Sequence, residues 1–332
     1  MTKYKMLNKN KLKYFLKNDK RVYNFIRVLY TTFAHPNRFM RKRKYGNLNS
    51  NTPILIIRPN SEDGIQGLMS LFIQAARWIQ YAKGHNYLSF IDYKTYKTQY
   101  YDGENNSWEF FFKQPDGLKY EDVYNSKNVT LSGVSLKRTT DDAMFSEFVF
   151  RDKEQLRKCN ELLNRSIKLT NEVQNIVDYE NKSLHVEDCI GVYIRGTDYA
   201  KFKPTGEFRQ PEIQEVVDKV REFVNSHTGK KLFLVTEDDE YHQTMQSEFP
   251  ELLTTVSFDS FISGYDGKGY LSKSGLLEED KKKRGIDYLV KIILLSKCRY
   301  LISSITQGSI AAYCFNGGKY EDEYIFDLGY YD

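Results

Sequence analysis

The sequence predicts an α/β protein of two domains behind a basic helical arm. Three observations lead there. Short apolar runs alternate with amphipathic stretches through the second half, a strand–loop–helix–strand unit opens the first half, and 332 residues exceed one ordinary core. With 15% aromatic residues the chain has enough apolar area to order most of its length. The expected divisions are an arm over 1–48, a first α/β domain over 49–185 and a second over 186–332.

The arm comes first in the chain. Met1 to Tyr45 holds 14 Lys and Arg against the single acid Asp19, a charge of +13, while the remainder carries 35 basic and 43 acidic residues, a charge of −8. The net +5 therefore belongs to the arm. It interleaves "KYFLKNDKRVYNFIRVLYTTF" with "RFMRKRKY", setting Tyr14, Phe15, Phe25, Ile26, Val28, Leu29 and Tyr30 among the cations. Such a helix can lie on an anionic bilayer, each basic residue adding about 1 kcal/mol. A frayed or domain-packed basic extension fits the same residues. The arm lacks the apolar core of a signal peptide or a spanning helix. The acidic remainder argues against nucleic acid as a dedicated partner.

"TPILIIRPN", Thr52 to Asn60, reads as a strand. In "SEDGIQGLMSLFIQAARWIQYAKGHN", Leu68, Leu71, Phe72, Ala75, Ala76, Ile79 and Ala82 recur at helical spacing, and "YLSFID" is the next strand. The three make a βαβ unit. From Tyr93 to Glu147 no element is predicted. Within that stretch "NSWEFFFKQP" offers Trp108, Phe110, Phe111 and Phe112 either to an acceptor pocket or to a core or interdomain wedge. One long amphipathic helix is expected from Asp152 to Asp178, followed by the polar linker "YENKSLHVED".

Beyond the linker, "DCIGVYI", "KLFLVT", "LTTVSF", "RYLISS" and "EYIFDL" read as strands. Helices are expected over Pro211–Ser226, Asp239–Phe249, Gly285–Lys297 and Gly308–Phe315, and "LEEDKKKRG" as a solvated loop. Apolar strands alternating with helices imply a parallel sheet covered on both faces. Cys159, Cys189, Cys298 and Cys314 lie in apolar runs without a paired motif, as buried reduced thiols of a cytosolic protein do. The five histidines lack metal-ligand spacing, so no metal site is expected.

Ligands of such sheets bind beyond the carboxyl ends of the strands. Three strands of the second half end there on polar clusters: Arg195-Gly196-Thr197-Asp198, Glu237-Asp238-Asp239, and Ser303-Ser304-Ile305-Thr306-Gln307-Gly308-Ser309. The last also opens a helix, whose hydroxyls and backbone N–H groups suit an anion, and Arg195 can grip phosphate oxygens in pairs. A nucleotide diphosphate fits between them. The acids can accept hydrogen bonds from a base or ribose, or cap the following helix. Neither GxGxxG nor GxxxxGK followed by Ser or Thr occurs after a strand, which disfavours dinucleotide oxidoreductases and P-loop kinases.

"VYIRGTDY", "LFLVTEDDEY" and "DYLVKIILLSKCRYLISSITQGSIAAY", in this order, resemble the three motifs of the fucosyltransferase superfamily of bacterial, core and protein O-fucosyltransferases. "SEDGIQGLMSLFIQAARWIQYAKGH" is similar to that superfamily's Gly-rich loop and first helix. The resemblance spans most of Ile54 to Tyr313. It implies a GT-B fold, two Rossmann-like domains facing a cleft, and inverting, metal-independent transfer of a sugar, usually from GDP-fucose, with no cofactor beyond the donor. By position it implies that Arg195 holds the β-phosphate, Asp198 orders its loop, and Asp238 or Asp239 sits at the nucleoside side, with Glu237 also among the donor-binding residues. Ser303, Ser304, Thr306, Gln307 and Ser309 would bind phosphate, and Asp287 would face the site. The family commonly has a histidine, linked to guanine recognition, two residues before the arginine and often a second arginine after it. This chain has Tyr193 and Gly196.

The expected chemistry is stabilisation of the departing diphosphate by Arg195 and the helix near Ser309. Glu62 and Asp63 are candidates for the base that deprotonates an acceptor hydroxyl, with helix capping as their other reading. Gly64 and Gly67 would let backbone approach the donor. The expected partners are a nucleotide sugar and a glycan acceptor, as in bacterial surface polysaccharide synthesis, and the arm would hold a cytoplasmic enzyme to a lipid-linked acceptor at the inner leaflet. Use of another nucleotide sugar, or binding without catalysis, are the alternatives.

Overall fold

The computed structural model describes residues 39–60, 65–133, 144–277 and 279–332. Most of the basic arm, and the loop with Glu62, Asp63 and Gly64, lie outside the described residues. Two sheets form the frame. The first contains β1 (Arg41–Arg43), β2 (Ile54–Ile57), β3 (Leu88–Ile91) and β4 (Val129–Leu131) in the order β1-β4-β2-β3. β2 runs parallel to both its neighbours, and β1 is an antiparallel edge.

Helix α1 (Leu68–Gly84) is the crossover between β2 and β3, and its apolar stripe is buried as the spacing predicts. The parallel strands do not follow the order of a Rossmann half. β4 returns to the far side of β2 instead of adding beside β3, a 2-1-3 arrangement. The chain reaches it through the segment for which the sequence predicts no element, by way of a 3₁₀ turn at Ser107–Phe110 and the single-turn helix α2 (Tyr120–Val123).

The second sheet joins β5 (Ile190–Tyr193), β6 (Leu232–Val235), β7 (Leu253–Thr254), β8 (Tyr300–Ser304) and β9 (Asp322–Phe326) in the order β7-β6-β5-β8-β9. Every pairing is parallel. This is Rossmann order, with the reversal of direction between β5 and β8. Helices α5 (Ile213–Ser226) and α6 (Asp239–Glu248) cover one face, packing Val216, Val220, Tyr241 and Met245 on Ile190, Val192, Leu232 and Leu234.

Two helical expectations need correction. The helix expected over 152–178 is two, α3 (Lys153–Ser166) and α4 (Asn171–Leu184). Ile167 is extended, and the intervening backbone bonds instead to 111–113: Lys113 N–H donates to Lys168 O, and Thr170 N–H to Phe111 O. Helix α7 (Lys281–Leu295) begins before Gly285, inside the stretch read as a loop. Asp280 caps it by accepting from Lys283 N–H at 2.9 Å. Three lysines in its first turn oppose the helix dipole, which is why the charge pattern conceals the helix.

The main core draws on one face of each sheet. Leu55, Ile57 and Ile91 of the first sheet and Phe233, Val235 and Leu301 of the second belong to one cluster with α1, α3, α4, α7 and α8 (Gln307–Asn316). The two sheets therefore share a helical middle layer. Trp108, Phe111 and Phe112 are buried within it, so the aromatic run is a wedge. Phe112 stacks on Phe72 at 5.2 Å, and a Cβ on Gly285 would sit 2.4 Å from the Phe111 ring. The four cysteines are buried and unbridged.

Candidate functional site

β5 and β8 diverge in their onward connections, and the polar clusters stand at this switch point. Arg195, two residues beyond β5, keeps 31% of its side chain exposed. Its Nη2 donates to Asp198 Oδ1 at 3.2 Å, and its Nε lies 3.7 Å from Glu237 Oε1, in ion-pair range but too far for a hydrogen bond. The guanidinium carbon sits 3.9 Å from the centroid of the Tyr199 ring. Burial works against the Arg195 charge, but Glu237 and Asp198 more than offset it, so the group stays protonated. Its Nε is buried without a hydrogen-bond partner among the described residues. A buried unpaired donor costs about 1–3 kcal/mol, and such a cost is characteristic of binding sites.

The loop around Arg195 is held under strain. Thr197 has φ 44° and ψ −120°, outside the regions a β-branched residue normally occupies. Its N–H donates to Asp238 Oδ2 at 2.7 Å and its hydroxyl to Glu237 Oε1 at 2.9 Å. Gly196 lies against Asp238 so closely that an added Cβ would come within 2.3 Å of the Asp238 Cβ. Asp238 also caps α6 by accepting from Tyr241 N–H, and it is buried. Its role is to fix the Arg195 loop. Asp239 and Asp238 border a cavity of ≈ 250 Å³ beside Lys201 and Gln243. A larger cavity of ≈ 600 Å³ opens near Lys297 and Arg299, at the amino ends of the strands and away from Arg195.

Across the switch point, α8 carries a capping box. Thr306 Oγ1 accepts from Ser309 N–H at 3.1 Å, and Ser309 Oγ accepts from Thr306 N–H at 2.9 Å. Ser303 and Ser304 are fully buried, and Ser304 donates to Gln210 Oε1. The four hydroxyls expected to meet phosphate are thus turned into the fold. At the first turn of the helix the N–H groups of Gln307, half-buried, and Gly308, buried, have no acceptor among the described residues. A helix N-terminus with free N–H groups attracts anions.

Tyr193 is also not at the surface. It is buried, its hydroxyl 3.0 Å from that of Tyr288, and both hydroxyls lie 2.4 Å from where a Cβ on Gly308 would be. Asp287 pairs with Lys283 at 3.0 Å and makes no ion pair or hydrogen bond with Arg195 among the described residues. The first unit approaches through Tyr100, whose hydroxyl accepts from Leu68 N–H at 3.1 Å, at the start of α1. Burial pushes the Tyr100 phenol up, and Arg284, whose guanidinium lies 5.7 Å from the Tyr100 ring centroid, opposes this. Gly67 precedes α1 with φ −66°, and an added Cβ would meet nothing within 4 Å among the described residues.

Sequence reasoning missed Tyr199, Tyr100, Tyr288 and the packing role of Gly308. The signal for Tyr199 was its place directly after Asp198. Nothing local marks Tyr100, since its approach depends on the 2-1-3 sheet and the wedge.

Fold and site together define a two-unit α/β protein with a cation and a helix N-terminus at the switch point of a Rossmann-order sheet. Solved structures similar to this chain include fucosyltransferase NodZ from Bradyrhizobium, at 14% identity, covering 79% of this chain and 93% of that one with a TM-score of 0.46. Arabidopsis thaliana FUT1 in complex with GDP is similar at 12% identity over 83% of this chain and 71% of that one, TM-score 0.46. POFUT1 in complex with GDP is similar at 9% identity over 83% and 99%, TM-score 0.47. No family model matches the sequence, and no curated protein matches it.

Proposed function

We propose that this protein is an inverting glycosyltransferase that uses a nucleoside-diphosphate sugar without a metal, with GDP-fucose as the donor. One observation carries the reading. Arg195, charged and with a buried unpaired Nε, stands across the switch point from the free N–H groups of Gln307 and Gly308. Two such donors suit a diphosphate, and both gain strength as negative charge builds on the leaving group. Each properly placed donor of this kind is worth about 3 kcal/mol in a transition state. The sugar comes from the resemblance of "VYIRGTDY" and its companion motifs to fucosyltransferases.

The nucleoside would extend toward the cavity beside Asp238 and Asp239, and the acceptor would enter from the side of Gly67 and Tyr100. Glu62 or Asp63 would serve as base, and Gly64 with Gly67 would line the donor. A glycan of a bacterial surface polysaccharide, lipid-linked and met at an anionic membrane through the basic arm, is the acceptor this reading favours. No helix among the described residues is long and apolar enough to cross a membrane.

A second reading keeps the chemistry and changes the base. Tyr193, where relatives carry a histidine tied to guanine, is buried against Tyr288, so the nucleobase need not be guanine. Thermal unfolding with GDP, UDP, ADP, CMP and GDP-fucose, without divalent metal and alongside Arg195→Ala, separates these. A hundredfold excess over Kd stabilises by about 2.7 kcal/mol. GDP-selective stabilisation lost in the variant, with transfer of fucose to a glycan, supports the first reading. Selectivity for another nucleotide supports the second, binding without transfer or hydrolysis leaves a binding protein, and no response to any nucleotide overturns all three.

A further inference from the structure

The connection from β5 to α5 runs from Ile194 to Glu212, far longer than the roughly 2–6 residues usual between strand and helix. It starts with a π turn over Asp198–Phe202, and Lys203 and Gly206 have φ of 50° and 83°. Such a loop needs an external partner for its backbone. That partner is the segment after β9. Gly206 N–H donates to Tyr331 O, Tyr331 N–H to Glu207 O and Arg209 N–H to Gly329 O, each at 2.9 Å, with Phe208 opposite Tyr330 in an antiparallel bridge.

Side chains reinforce the pairing. The Phe208 ring lies 4.4 Å from that of Tyr330 and 5.9 Å from Phe148 of the first unit. Arg209 Nε donates to Tyr330 O, and Gln210 N–H to the Tyr331 hydroxyl at 3.1 Å. Gln210 in turn accepts from Ser304 at the end of β8. The strap therefore ties the loop back to the second wall of the site. Within the loop, the Tyr199 ring lies on the Arg195 guanidinium, and burial pushes the Tyr199 phenol up, with Arg195 opposing and Glu207 adding to the shift.

We infer that Tyr199 is a positioning residue that holds the Arg195 guanidinium toward the diphosphate, and that the strap Gly329–Tyr331 sets its place by pairing with the backbone of the loop that carries it. Asp198 and Glu237 both attract the guanidinium along its edge, and a ring on its face keeps it from turning fully into these acids. The inference rests on the reading of Arg195 as a diphosphate ligand.

Calorimetric titration of GDP, or of the nucleotide that stabilises best, tests it in the full chain. Tyr199→Ala should raise Kd about 5- to 30-fold, and Tyr199→Phe should stay within about twofold because the ring is kept. The pair Tyr330→Ala and Tyr331→Pro removes the ring contact and a strap N–H. It should raise Kd in the same direction, add little on top of Tyr199→Ala, and speed hydrogen exchange over 198–210. Unchanged affinity in Tyr199→Ala, effects that multiply in the combined variant, or unchanged exchange would each overturn the inference while leaving the donor reading intact. Failure of the unaltered chain to bind any nucleoside diphosphate would overturn both.

Discussion

Two glycines open helices that follow parallel strands, Gly67 before α1 and Gly308 in α8, and their surroundings are opposite. Gly308 is demanded by the protein itself, because the hydroxyls of Tyr193 and Tyr288 fill the space a Cβ would need. Gly67 is not, since its backbone is ordinary and none of the described residues occupies the space above it. The difference separates two reasons for a glycine in a binding loop. One is packing beneath a site, and the other is room above it for something the fold does not supply.

The comparison can be broken in several ways. The largest effect should come from Arg195→Ala, on the Gly308 side, which should weaken nucleoside-diphosphate affinity by about 2–5 kcal/mol in titration, the usual loss for a partly buried charged contact. An equal loss from Gly67→Ala would erase the contrast between the two walls. Next, Gly308→Ala should lower stability by about 1–3 kcal/mol in denaturant unfolding through overpacking. Retained stability would show that the two tyrosines move aside freely.

The pH dependence should be smaller. Burial raises the Glu237 carboxyl above its usual 4.5, and Arg195 opposes this only in part. Below that raised pKa the carboxyl is neutral and no longer competes with phosphate for Arg195. Affinity should therefore rise as pH falls through it, on the order of 1 kcal/mol, and Glu237→Gln should remove the slope. Titrations that show the same slope in the variant would exclude Glu237 as its source. Smallest of all, Gly67→Ala should change unfolding free energy by less than about 0.5 kcal/mol while slowing sugar transfer, and a mutant as active as the parent would end the argument for room above Gly67.

Much of this was legible in the sequence because the second sheet is built from continuous apolar runs. "GVYIRGTDY" shows both the strand and the polar residues at its end, and the three clusters could be placed together from topology rules alone. The first sheet was less legible. β4 is only Val129–Leu131 in a polar surrounding, and nothing local reports that it returns beside β2. At α8 the hydroxyls of Thr306 and Ser309 cap the helix, and the sequence leaves this open because Thr and Ser at a helix start read alike whether they face a ligand or cap the backbone. The break between α3 and α4 was hidden for a related reason: its backbone bonds go to residues more than fifty positions away.

The shared middle layer has a consequence for engineering. Helix α8, whose first turn stands at the switch point, buries the rest of its length against α1 and α3 of the other unit. A chimera spliced near residue 185 would carry the second sheet without the surfaces that cover Ala312, Tyr313 and Phe315, and would expose them to water. The second unit is thus not a cassette that can be exchanged at a linker. It would have to be altered in place, or transplanted together with α1 and α3.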